Sequence, residues 1–181
     1  MTLNDIIVSA LIQTGHGHDA QTMDIWRDKL TLFANDAIVD LSNYIKPTKT
    51  ERVSINGGEI DCTDLSRECV RVMKVKMNGS DVPFYESETK SGSVRVDSAD
   101  GEADITYRFI PKRLSNASDE PELGEAAGQL IVTYVVARER ASGDAANQRG
   151  GNIYFQLYEA GKSKLRPHMG ADDSYLIRNR W

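Results

Sequence analysis

Cysteine is scarce in this 181-residue chain, with Cys62 and Cys69 the whole supply. Two thiols make neither a disulfide framework nor a four-ligand zinc site, and they fit free thiols in a protein made in a reducing cytoplasm. No apolar run approaches the ~18 residues of a membrane span, so no membrane partner is expected. The opening MTLNDIIVSALIQTG has no positively charged start and carries Asp5, so it does not read as a signal peptide. Basic residues are outnumbered, 22 Lys and Arg against 27 Asp and Glu, and the net charge of −5 argues against a general nucleic-acid binder. Catalytic signatures are also missing. Neither Gly-x-Ser-x-Gly nor Gly-x-x-x-x-Gly-Lys occurs, and Gly150-Gly151 lacks the spacing of a dinucleotide site. The chain therefore reads as a non-enzyme without cofactor or metal.

What is present is an ordinary folded composition, 40% hydrophobic and 27% charged, in a length that holds one domain or a core with one inserted lobe. Thr2 is a good helix N-cap with Asp5 in the capping-box position, and Ile6, Ile7, Ala10 and Leu11 share a face before Gly15. After a GHGHD connection, Met23, Trp26, Leu30, Phe33, Ala37, Leu41 and Tyr44 step by three and four, which predicts a long second helix ended by Pro47.

From about Glu51 to Leu114 the period changes to two. Val53 and Ile55, then Val70, Val72, Val75 and Met77, then Val94 and Val96, then Ile105, Tyr107 and Phe109 alternate with polar residues. Asn78-Gly79, Gly57-Gly58, Ser91-Gly92 and Asp100-Gly101 supply turns, giving four to six short antiparallel strands with one face toward water.

Helix then returns. Pro121 suits a first helical turn among Glu120, Glu122 and Glu125, and Leu123, Ala127, Leu130, Ile131, Tyr134, Val135 and Arg138 follow at helical spacing toward Gly143. A fourth helix starts between Ala145 and Asn152, with a stripe of Tyr154, Leu157, Tyr158, Gly161 and Leu165, and Pro167 stops it. The expected fold class is α+β, with about four helices in one core and an antiparallel β lobe inserted between helices two and three. Residues 1–47 and 117–167 form the helical core, 48–116 the lobe and 168–181 a C-terminal extension.

Three groupings carry candidate chemistry. His16, His18 and Asp19 could hold a transition metal, but with only His168 besides they read as a polar turn. Asp97, Asp100, Glu102 and Asp104 surround a glycine as in a calcium loop, yet the EF-hand order is absent and a solvated hairpin tip fits better. In the tail, Tyr175, Leu176, Ile177 and Trp181 beside Arg178 and Arg180 are residue types favoured as interface anchors. A terminus folded back on its own core is the competing reading.

The order of elements resembles the head-to-tail adaptor (connector, or head-completion) proteins of tailed bacteriophages. The residues that carry this are Leu3-Asn4-Asp5-Ile6-Ile7 opening a short helix, a long helix ending near Tyr44, and Asp119-Glu120-Pro121-Glu122-Leu123 leading a helix to Ala137-Arg138-Glu139. Gly143-Asp144 then precedes Tyr154-Phe155 and Tyr158-Glu159-Ala160-Gly161. The resemblance covers the helical parts, about 100 of 181 residues. Gly150-Gly151 departs from it, because two glycines weaken a helix that relatives run unbroken.

The resemblance implies a structural virion protein, found in the host cytoplasm during assembly. Copies form a ring, expected to be twelvefold, below the portal protein. The ring extends the DNA channel without sequence-specific binding and docks the tail or the next completion protein. Tyr175, Leu176, Ile177 and Trp181 are then the portal-facing anchors, with Arg178 and Arg180 as charged partners. The alternative is a tail-side completion or terminator ring protein, whose usual signature is a strand-dominated chain without bracketing helices.

Overall fold

The computed structural model describes residues 1–87, 91–97, 100–143 and 145–165. Among the described residues, helices α1 (Leu3–Thr14) and α2 (Ala20–Ile45) precede seven strands, and α3 (Glu125–Ala141) and α4 (Ala145–Lys162) follow them. The protein is α+β, with the antiparallel strands lying between the second and third of its four described helices.

The first turn of α1 is built as its sequence predicts. Thr2 accepts from the Asp5 N–H at 3.2 Å, and the Asp5 carboxylate accepts from the Thr2 N–H at 2.9 Å. Gly15 then ends the helix at φ 81°, a left-handed value that glycine adopts without steric cost. Asp19 opens α2 by accepting from the N–H groups of Gln21 and Thr22.

Helix α3 lies at the centre of the helical layer, packing on α1, α2 and α4. It is therefore buried on several sides, through Ala127, Ile131, Val132, Val135, Val136 and Ala137. It starts later than its proline suggests. Gly124 is the N-cap, and Pro121 to Leu123 lie in the turn before it. Glu122 is held outside the helix by Arg67 and by the Lys112 N–H, while Leu123 packs on the helical core. Helix α4 runs straight through Gly150-Gly151.

The strands form two antiparallel sheets. β1 (Thr48–Ile55), β7 (Gly101–Phe109), β3 (Cys69–Met77) and β4 (Ser80–Asp81) make one, in that order. β2 (Glu59–Asp61), β6 (Ser93–Val96) and β5 (Phe84–Glu86) make the other. There are more strands than the four to six expected because β2, β4 and β5 are only two or three residues long, too short to show alternation. In β7, Ala103, Ile105, Tyr107 and Phe109 all face the core. Val70 is a correction. Register shifts at Cys69/Arg71 and Val72/Lys74 turn it outward while Val72 and Val75, three apart, both face in.

The core of the strands (Ile55, Ile60, Val75, Ile105, Tyr107 and neighbours) is separate from that of the helices. Leu114, past the end of β7, already packs in the helical core, where Asn35 on α2 grips both its backbone groups, donating to its carbonyl at 3.0 Å and accepting from its N–H at 2.8 Å. Polar bonds join the two parts. The Phe109 N–H donates to the Pro47 carbonyl at 3.2 Å. No helix among the described residues is long and apolar enough to cross a membrane.

Candidate interaction surface

Two carboxylates organise the polar contacts. On α2, Asp40 accepts from the Tyr158 hydroxyl at 2.5 Å and from Lys162 Nζ at 3.0 Å, and Lys162 also reaches Glu159 at 2.8 Å. Tyr158 and Lys162 are one turn apart on α4, so they present two donors to a single carboxylate. Burial, then the hydrogen bond to Asp40, pushes the Tyr158 phenol well above its usual range. Tyr158 is fully buried, and its ring meets Tyr134 edge-on at 5.1 Å. Tyr158 and Lys162 are thus the clasp of α4 onto α2.

The helices come close because of two glycines. A methyl group at Gly151 would stand 3.0 Å from the Ala141 nitrogen and 3.1 Å from the Ala137 carbonyl oxygen, backbone atoms of α3. At Gly161 it would meet the flexible end of Leu130. The glycine pair that departs from the adaptor pattern therefore includes a packing contact.

In the lobe, Glu51 gathers Lys49 Nζ at 2.8 Å, the Tyr107 hydroxyl at 2.8 Å, the Ser66 N–H at 3.1 Å and the Ser66 hydroxyl. Burial alone would raise its pKa, but these donors outweigh it and hold the carboxyl at about 2. One residue on, Arg67 reaches across to both carboxylate oxygens of Glu122. Cys62 and Cys69 are free, half-buried thiols, and burial followed by the neighbouring Cys69 pushes Cys62 up to about 11.

Of the groupings read from sequence, the histidine turn does not converge. His16 stacks on Trp26 with ring centroids 4.4 Å apart and points Nε2 to Glu139 at 3.7 Å, while Asp19 is spent on capping. No group of three metal-ligating residues occurs among the described residues. The acidic set splits as well. Asp100 accepts from the Gly58 N–H at 3.2 Å, and Glu102 and Asp104 lie on β7 against Arg52. His168, Tyr175, Leu176, Ile177, Arg178, Arg180 and Trp181 lie outside the described residues.

Periodicity missed the outer surface of the helices. Ile25, Leu32 and Val39 on α2 are 69%, 56% and 46% exposed, and Ile153 and Leu157 on α4 are 59% and 56%. Leu157, expected on the buried stripe of α4, instead faces out, because Tyr158 and Gly161 take the contacts with α2 and α3. The signal was available in α2 as a seven-residue apolar repeat beside the core stripe. Such exposed apolar side chains in register are what an association surface requires. Neither a protein-family model nor a curated protein matches this chain.

Proposed function

We propose that this chain is a structural virion protein, a head-to-tail adaptor whose copies form a ring below the portal, extend the DNA channel and dock the tail. The observation that carries the reading is the insertion of the antiparallel lobe between α2 and α3 within a four-helix layer. This is the element order on which the resemblance to the adaptors rests. The exposed apolar residues on α2 and α4 support it, since a ring subunit needs side-to-side surface. The net charge of −5 suits a channel through which DNA slides without being gripped. Tyr175, Leu176, Ile177 and Trp181, with Arg178 and Arg180, are the proposed portal anchors.

The test is electron microscopy of the purified protein mixed with a portal ring from the same source. A second ring stacked on the portal is expected. A folded protein that does not associate overturns the reading and favours a tail-side ring. Deleting residues 174–181 is expected to leave a folded protein that no longer joins the portal, and normal joining removes the tail from the interface.

A further inference from the structure

Strand pairing in the lobe parts at one place. β3 and β4 pair at Lys76↔Asp81 and Met77↔Ser80, and the Val82 N–H still reaches the Val75 carbonyl at 2.9 Å. Pro83 follows and has no N–H to offer. From Phe84 the chain turns to β6, with Phe84 opposite Val96. Among the described residues β5 pairs with β6 alone, and residues 69–73 of β3 pair with β7 alone. Two strand edges therefore face each other across a groove, closed at Val75 and open at Val70 and Ser87. Its volume is about 820 Å³, and Val72, Phe84 and Val94 give it an apolar floor. Ser93 also lines it, and although it is only 6% exposed its Oγ has no hydrogen-bond partner.

Open edges on both sides call for an extended segment between them, since a strand bonds to both. The floor calls for apolar side chains on one face of that segment. The chain's own C-terminal residues 174–181 meet both needs. They contain neither glycine nor proline, and on an extended backbone Tyr175 and Ile177 share one face while Leu176, Arg178 and Arg180 share the other. They also start within reach. α4 brings Lys162 to Asp40, and Asn43, one turn further along α2, accepts from Arg108 Nη2 at 3.4 Å. Arg108 stands opposite Arg71, which lines the open end of the groove. The ten residues from Leu165 to Tyr175 span ~33–36 Å when extended, enough for a route of two side-chain contacts, one helical turn and one strand spacing. Because the segment is tethered, it meets the groove at an effective concentration that a segment of another molecule does not reach.

We infer that residues 174–178 dock in this groove of their own chain as an added strand, with Tyr175 and Ile177 on its apolar floor. Entering at the open end, the segment runs antiparallel to β5, the more stable of the two pairings. The adaptor reading gives the same segment to the portal, and the groove is where the free protein holds it beforehand. Docking needs no portal, so the two readings can fail separately.

A photoreactive benzophenone amino acid replaces Tyr175 in one preparation, which is mixed with an isotope-labelled preparation of the unmodified chain. Irradiation is expected to give adducts within the unlabelled chain, on peptides that contain residues 69–73 or 84–87. Met73 is exposed on the groove, so Met73→Lys charges the edge of β3 and should lower that yield at least about tenfold without changing the thermal melt. Adducts on labelled chains mean a second copy's groove and overturn the inference, as do adducts on the helices or no adduct at all. A yield that Met73→Lys leaves unchanged overturns it too. Portal stacking without adducts inside the chain removes the docked segment and leaves the adaptor, whereas such adducts without stacking leave the docked segment and remove the adaptor.

Discussion

Tyr158 donates its hydroxyl proton to Asp40 at 2.5 Å, joining α4 to α2 across 118 residues of sequence. Lys162 shares the same carboxylate oxygen, so the anion stays compensated by one donor if the other is lost. Tyr158→Phe keeps the ring packing on Tyr134 and removes only this bond. It is expected to cost about 1.5–3 kcal/mol, the range for hydrogen bonds to charged groups, measured by urea unfolding at neutral pH.

The same pair sets an alkaline limit. The Tyr158 pKa is raised in the folded protein, first by burial and then by Asp40, so its contribution is complete below the unfolded tyrosine value near ~10. It declines as pH rises above that value. The stability of the parent protein should fall more steeply than that of Tyr158→Phe on the alkaline side, as followed by circular dichroism. Parallel pH profiles would show that the phenol does not carry this linkage.

Gly150 and Gly151 are adjacent but predict opposite outcomes. A methyl group at Gly150 meets only the Arg140 side chain, 3.2 Å from a guanidinium nitrogen that can give way while its partner nitrogen keeps the Gln13 carbonyl, so Gly150→Ala should gain up to about 0.5–1 kcal/mol from helix propensity. At Gly151 the neighbours are α3 backbone atoms that cannot rotate away. Gly151→Ala should lose about 1–3 kcal/mol by forcing the helices apart. Thermal melts of the two variants decide the point.

Glu51 has a folded pKa of about 2, below its unfolded value, so its contribution is present above pH ~4.3 and is lost as pH falls toward 2. Glu51→Gln should destabilise the protein at pH 7 by about 1–2 kcal/mol after allowance for solvent screening. The difference from the parent should shrink in acid. A constant difference down to pH 3 would place the loss in packing rather than charge.

Arg67 and Glu122 tie the lobe to the segment before α3 with paired bonds. A double-mutant cycle of Arg67→Ala and Glu122→Ala should return a coupling of about 0.5–3 kcal/mol. Additive single losses would mean that the lobe is held at other points, such as the Phe109 N–H on the Pro47 carbonyl.

Much of the fold was legible because it is local. Thr2 and Asp5 cap the helix three residues apart, the stripe from Met23 to Leu41 names the inner face of α2, and the alternation from Ile105 to Phe109 names the inner face of β7. Each depends on neighbours a few residues away, which periodicity registers. The histidine turn shows the limit of spacing alone, since its residues went to stacking and capping.

The sequence by itself determined the class of each long element, their order and the capping of α1, because dihedral preferences and turn chemistry act within a few residues. Only the tertiary structure decided that Glu122 is bonded to Arg67 instead of opening α3, that Gly151 is a contact rather than a helix break, and that Leu157 faces outward. Those outcomes turn on which distant backbone or side chain arrives within bonding distance. A pattern of three or two residues carries no information about that.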